Sequence, residues 1–432
     1  MPNTHRSIVI GGGAAGFFCA VNAARLNPRL EVIVLEKSNK LLSKVKVSGG
    51  GRCNVTHACF EIADMIKNYP RGANFLKKAF HRFFTKDTSQ WFGERGAKLK
   101  TESDGRMFPV TDSSQTIIDC LMREADKYGV QVRMKSEVKR IEKKLKSEQG
   151  RENEKADEDG AAGPVPTRRF MLELEGGDTI DADFVCVATG GFPKSEMFNW
   201  LRQVGHSIEE PVPSLFTFNM PGSRVRELPG VSVPDAQVRV AGSKLISRGP
   251  LLITHWGMSG PAILRLSAWG AREFAACNYH FTILVNWLGD IKEQQLQEQF
   301  KSLRYESAPL KIVNRNPFGL PQRLWQFLLE VSGITPDLRW ADLPSKDQNR
   351  LIKNCCAQEF TVSGKTTFKE EFVTAGGVRL PEIDPQTMQS KIVPGLFFAG
   401  EIMDVDGITG GFNFQHAWTS GYIAAEAMAN FG

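Results

Sequence analysis

The sequence predicts an α/β protein in which a Rossmann-like domain, built from both ends of the chain, is interrupted by an insert of different texture. Three observations lead there. The chain opens as strand, glycine-rich turn, helix and second strand; a long middle stretch loses that pattern; and strand and helix patterns return after about residue 369.

In order, Ser7-Ile8-Val9-Ile10 is a short β-favouring run, 11–16 a turn, 17–26 a helical stretch and 31–35 a second buried strand. Stretches 74–84 and 89–95 have helical spacing with basic outer faces, 113–128 reads as a helix, and 130–141 as one or two strands. Segment 146–169 is dominated by Glu, Asp, Lys, Gly and Pro, and cannot bury enough apolar surface to offset its ordering entropy. A flexible charged loop is expected there. Strand patterns resume at 170–175 and 184–187, and Ala188-Thr189-Gly190-Gly191 closes them with a turn. The insert is expected over 192–368, β-rich around 237–240 and 280–285, with a helical subdomain at about 291–356. Residues 1–191 and 369–432 would then form the first domain.

A chain of 432 residues exceeds one ordinary core. Its 41% hydrophobic and 24% charged residues suit a globular enzyme, and no run of about eighteen apolar residues suggests a membrane helix. The polar N-terminus leads straight into a strand, so no signal peptide is expected and a cytoplasmic location follows. Eight scattered cysteines without a CxxC pair suggest reduced thiols, no disulfide framework and no metal site. A net charge of +6 permits a nucleic-acid partner without requiring one.

Gly11-Gly12-Gly13-Ala14-Ala15-Gly16 fits GxGxxG, follows a strand and opens a helix, with the acid Glu36 ending the next strand. Glycines allow the tight turn and let backbone amides reach a pyrophosphate at the positive end of the helix. Glu36 would accept from the adenosine ribose hydroxyls and disfavour a 2′-phosphate. A second slim loop, Ser48-Gly49-Gly50-Gly51-Arg52-Cys53-Asn54, preceded by Lys44 and Lys46, suits passage along a pyrophosphate and a flavin edge. Simple NAD-binding units have no need of it, so FAD is the expected cofactor. Near the C-terminus a strand ends in Gly400-Glu401, and Asp404-Val405-Asp406-Gly407-Ile408-Thr409-Gly410-Gly411-Phe412-Asn413 leads into a helix. Such a helix end would stabilise the negative charge of reduced flavin near N1 and O2.

These segments, with Thr254-His255-Trp256-Gly257-Met258-Ser259-Gly260-Pro261-Ala262, Thr374-Ala375-Gly376-Gly377-Val378 and Glu382-Ile383-Asp384-Pro385, resemble the HI0933/YhiN-like flavoproteins, also called aminoacetone-oxidase-like or BaiN-type, over effectively the whole chain. The resemblance implies a discontinuous FAD-binding domain with an insert that is part β-barrel-like and part helical. It implies FAD contacts from Gly11, Gly13, Ala15, Gly16, Glu36, Lys37, Lys44, Gly50, Gly51, Arg52, Asn54, Val138, Thr189 and Gly190. From the C-terminal segment it adds Gly400, Glu401, Asp404, Gly410, Gly411, Phe412 and Asn413. Two departures touch the substrate side: His57 stands where the family usually has Asn, and Phe192-Pro193-Lys194 replaces a Gly-Ser-Thr-Gly continuation.

Candidates for catalysis are His255, which could exchange a proton near neutral pH, and Cys53 in the second glycine loop, each weighed against a purely structural role. Arg106 is a candidate anchor for an anionic substrate. No second GxGxxG appears, so NAD(P)H as a transient reductant, an electron-donating protein, or a substrate–oxygen cycle all stay open. The expected function is flavin N5 hydride chemistry on a small amine or conjugated C=C metabolite. The alternative is reduction of uridine to dihydrouridine in ribosomal RNA, and a third is a non-catalytic flavin-binding scaffold. Arg71, Lys77, Lys78, Arg82 and Lys86, interleaved with Phe75, Phe80, Phe83 and Phe84, could suit single-stranded RNA or form the solvated face of an amphipathic helix.

Overall fold

The computed structural model describes residues 5–144, 169–366 and 373–430. The charged segment 146–169 lies, but for Arg169, outside them. The chain divides into two compact units, Met1–Val212 with Val373–Gly432, and Pro213–Phe372.

The first unit is built on a parallel five-stranded sheet in the order Leu396–Phe398, Phe184–Val187, Arg6–Ile10, Glu31–Glu36, Gln131–Met134. Ile8 lies beside Val185 on one side and Ile33 on the other. The three inner strands are continuous apolar runs because both faces of the sheet are covered. Helix Ala14–Leu26 follows the first strand and packs on the last helix, Phe412–Ala429. Gly421 permits that approach, since a Cβ there would stand 2.7 Å from Ala15 O. C-terminal residues thereby reach the first glycine turn.

The first unit continues to Val212, beyond the boundary expected near 191. Strand Ile208–Ser214 pairs with Val373–Val378. His206 is buried, its Nδ1 2.9 Å from Glu382 and its Nε2 2.9 Å from Ser390 Oγ. Partners so distant in sequence leave no trace in local composition. The helical stretch expected at 74–84 stops early, at Ala79, and the one expected at 89–95 starts early, as Thr85–Glu94, with Asp87 accepting from the Phe84 amide.

The second unit carries seven antiparallel strands in the order Gln358–Ser363, His280–Asn286, Ser232–Val240, Ile246–Ile253, Gly257–Ser259, Thr217–Asn219, Lys365–Thr366. Helices Glu293–Glu306, Gln322–Val331 and Ser345–Cys356 share its core through Phe300, Trp325 and Leu351. No described helix of either unit is long and apolar enough to cross a membrane.

Candidate flavin site

The first glycine turn is held by main chain. Gly11 N–H donates to Leu35 O at 2.8 Å and Leu42 N–H to Gly12 O at 2.9 Å, fixing the turn between the first two strands. Gly11 has φ +115°, and a Cβ on Gly16 would stand 1.9 Å from Gly11 O, so neither position tolerates a side chain. Gly13 is different: nothing lies within 4 Å of where its Cβ would be. The helix that follows has no side-chain cap, which leaves first-turn amides for an external anion. Glu36 ends the second strand, its carboxylate accepting from the Gly12 and Ser38 amides, both at 2.8 Å.

The second loop closes the helical segment Ser43–Gly51, where Gly49, Gly50 and Gly51 all have positive φ. Space is open beside Gly50 and Gly51. Arg52 is engaged from the side: it pairs with Glu102 at 2.5 Å, lies 3.6 Å from Asp112, and stacks 4.0 Å over the Phe108 ring. Cys53 is fully buried, and burial pushes its thiol up to about 12, so at neutral pH it is a protonated packing residue and a poor nucleophile. Asn54, in the amide orientation that satisfies both its polar atoms, donates to Thr56 O and accepts from Gly411 N–H, each at 3.0 Å.

That last bond joins the second loop to the third. Segment Gly400–Asn413 is gripped by side chains from elsewhere. Lys44 reaches Glu401 at 2.6 Å, and the other Glu401 oxygen accepts from the Thr374 amide at 2.8 Å. Gly191 lies against the same pair, a Cβ there falling 2.8 Å from Glu401 Oε1. Arg71 forms a two-pronged ion pair with the wholly buried Asp406. Tyr69 Oη donates to Phe412 O at 2.7 Å, and His57 stacks on Phe412 with its Nδ1 3.0 Å from Gly410 O. Asn413 bonds both backbone atoms of Gly407 at 2.8 Å. The last helix also starts without a side-chain cap.

Beneath this segment His416 Nε2–H donates to Gly400 O at 3.1 Å, and Gly400 N–H donates to Ser420 Oγ at 2.9 Å. Burial, outweighing the bond to Gly400, pushes the His416 imidazole down to about 4, so it is neutral. The sequence did not mark Tyr69, His416 and Ser420 as contributors, marked His57 only as a departure from the family, and placed Arg71 in a basic stretch suited either to RNA or to the solvated face of a helix. His57, Tyr69 and Arg71 have partners more than 300 residues away, a signal that no local motif carries, whereas His416 and Ser420 reach Gly400 from the helix that follows it.

Other expected residues are more peripheral. Thr189 Oγ1 donates to Gly190 O at 3.1 Å, Val138 is buried on an outlying antiparallel strand, and Lys37 is exposed, 5.8 Å over the Phe192 ring. Asp404 N–H donates to Val378 O at 3.1 Å. Arg106 is occupied by Asp104 at 2.7 Å and Glu102 at 3.1 Å. His255 belongs to the second unit, exposed, with its ring edge-on to Trp256 at 4.2 Å and its carbonyl accepting from Arg226. The aromatics of the basic stretch are buried: Phe75, Phe80, Phe83 and Phe84 are each at most 8% exposed, so none can stack on a base.

The first unit fits FAD. Open space at Gly13, Gly50 and Gly51, two uncapped helix starts and an acid at the end of the second strand match a pyrophosphate, a flavin edge and a ribose. The model of the HI0933-like protein Rossmann domain matches residues 5–427. The chain belongs to the HI0933-like family. It is therefore an FAD-dependent oxidoreductase by family. A ribosomal RNA dihydrouridine synthase of Escherichia coli (strain K12) is 32% identical over 98% of this chain and 97% of its own length. The 3-dehydro-bile acid delta(4,6)-reductase of Clostridium scindens is 26% identical over 98% of each. Among solved structures, a 3-ketosteroid delta1-dehydrogenase from Sterolibacterium denitrificans covers 99% of each chain with a TM-score of 0.52 at 11% identity, a likeness of fold.

Proposed function

We propose that this HI0933-like protein reduces uridine to dihydrouridine in ribosomal RNA, with NAD(P)H supplying the electrons. The flavin part rests on one observation: Asn54–Gly411 and Lys44–Glu401 join the second and third glycine-bearing segments, and the Leu42 amide on Gly12 O ties the second to the first, around two uncapped helix starts. The substrate part is supported by two relatives aligned along their full length that carry the name ribosomal RNA dihydrouridine synthase, at 32% and 29% identity. FAD held there would supply hydride-transfer chemistry between NAD(P)H and the conjugated C=C, with a proton completing the saturated bond.

The chain's own residues bind and orient. Amides of Gly13 to Ala15 would hold the pyrophosphate and Glu36 the adenosine ribose. Amides at the start of the last helix would face the flavin where negative charge develops. His255 is the proposed proton donor, because it is an exposed imidazole in the family's THWG element. A cytoplasmic location follows from the RNA substrate. The second reading, reduction of a small conjugated metabolite, is favoured by the bile-acid reductase relative.

The test uses purified protein loaded with FAD, ribosomal RNA from a strain lacking the protein, and NADPH or NADH. Mass spectrometry of the RNA should show one uridine gaining two mass units with matched nicotinamide oxidation. If the RNA is unchanged while nicotinamide still bleaches the flavin, the metabolite reading takes its place.

A further inference from the structure

Basic side chains of the first unit are commonly neutralised by a neighbour: Arg6 by Glu31, Arg52 by Glu102, Arg71 by Asp406, Arg95 by Glu124, Lys100 by Asp112 and Lys144 by Asp181. Residues 77–86 instead gather several exposed basic side chains into one short stretch. Lys77, Lys78, His81, Arg82 and Lys86 are all exposed, and among the described residues Arg82 alone of the five has an ion pair, with Glu426.

The opposite face of this stretch is anchored. Phe80 packs against Tyr69 at 5.9 Å, and Phe83 stacks on Tyr422 at 4.4 Å. Ala79 O accepts from the amides of Arg82 and Phe83, so helical turns carry Lys77, Lys78, His81 and Arg82 on the solvent side, and Lys86 opens the next helix. The result is a rigid cationic ridge without exposed aromatics. The helix that carries Lys77 and Lys78, Ala73–Ala79, starts two residues after Arg71, which grips the flavin-side segment.

We propose that this ridge, Lys77-Lys78-Lys86, grips the phosphate backbone of the RNA substrate; the proposal rests on the RNA reading above. Concentrated unneutralised positive charge suits a polyanion, and burial of the aromatics restricts the contact to phosphates, so the grip is independent of base sequence. It would position RNA beside the flavin segment while recognition of the target uridine lies elsewhere.

The experiment compares the wild-type holoenzyme with the triple variant Lys77→Gln, Lys78→Gln, Lys86→Gln. A charge-matched control, Lys292→Gln, Lys346→Gln, Lys353→Gln, changes exposed lysines of the second unit. Binding of an unmodified ribosomal RNA transcript is followed over a range of salt, alongside dihydrouridine formation and flavin reduction by NADPH. The ridge variant should bind several-fold more weakly, with the slope of log affinity against log salt reduced by about 0.7 per lysine, about 2 in all. Its KM for RNA should rise while flavin reduction and kcat hold. The control should keep the wild-type slope. Equal slopes for wild type and ridge variant, or equal losses in both variants, would overturn the ridge while leaving RNA modification standing. Ridge-dependent binding to anionic lipid vesicles with no change in RNA binding would overturn it too. Failure of the wild type itself to modify or bind the RNA would bring down the functional reading instead.

Discussion

The first and third glycine segments face the same task and are built in opposite ways. Gly11–Gly16 is shaped by main-chain bonds to Leu35 and Leu42 and by the Glu36 carboxylate on the Gly12 amide, all within the next thirty or so residues, and by glycines that leave no alternative path. Gly400–Asn413 is shaped by side chains: Lys44, Asn54, His57, Tyr69 and Arg71 from one arm of the chain, His416 and Ser420 from the helix below. The first design should fail on added bulk. The second should fail on lost polar partners.

The largest effect is expected at Gly16. Gly16→Val places carbon against Gly11 O and should cost more than about 4 kcal/mol, leaving little folded protein. Gly13→Ala, with open space at its Cβ, should keep the urea unfolding midpoint of the apoprotein and weaken FAD uptake. Equal losses in both would erase the distinction drawn within the first turn.

Asp406→Ala comes next. It deprives the Arg71 guanidinium of a buried carboxylate and should cost about 3–5 kcal/mol, whereas Asp406→Asn keeps an acceptor and should cost less. Urea unfolding with flavin release as a second probe checks this, and an Ala variant as stable as wild type would mean the third segment stands without its ion pair.

The smallest effect is a pH dependence. His416 titrates at about 4 in the folded protein against 6.5 when unfolded, so the unfolded chain takes up a proton first as pH falls. Stability contributed by the neutral imidazole is fully present above 6.5 and is lost as pH drops toward 4, by about 3 kcal/mol at most. His416→Gln should be less stable at pH 7.5 and lose less between pH 6.5 and 4. Parallel pH profiles for the two proteins would remove His416 from the account.

Much of the first unit was legible in the chain. The strand–turn–helix–strand opening, Glu36 and the slim Ser48–Asn54 loop announce themselves because their constraints act between near neighbours: β-branched runs, positive φ, a helix start. The β-rich runs of the insert at 237–240 and 280–285 and its helical part were legible for the same reason, whereas their antiparallel pairing was not. The helix expected over 74–84 ends at Ala79, and the one expected from 89 opens already at Thr85, where the Asp87 side chain bonds the Phe84 amide.

What the sequence by itself determined is therefore the dinucleotide-binding frame, its cofactor class and the interruption of the domain, all consequences of short-range backbone preference. Only the tertiary structure decided that Arg71 serves Asp406, that Arg52 is held by Glu102, that Cys53 is sealed in the core, and that residues up to Val212 belong to the first unit. The physical reason is distance along the chain: Arg71 and Asp406 lie 335 residues apart, and which charge meets which is settled when sheets and helices pack.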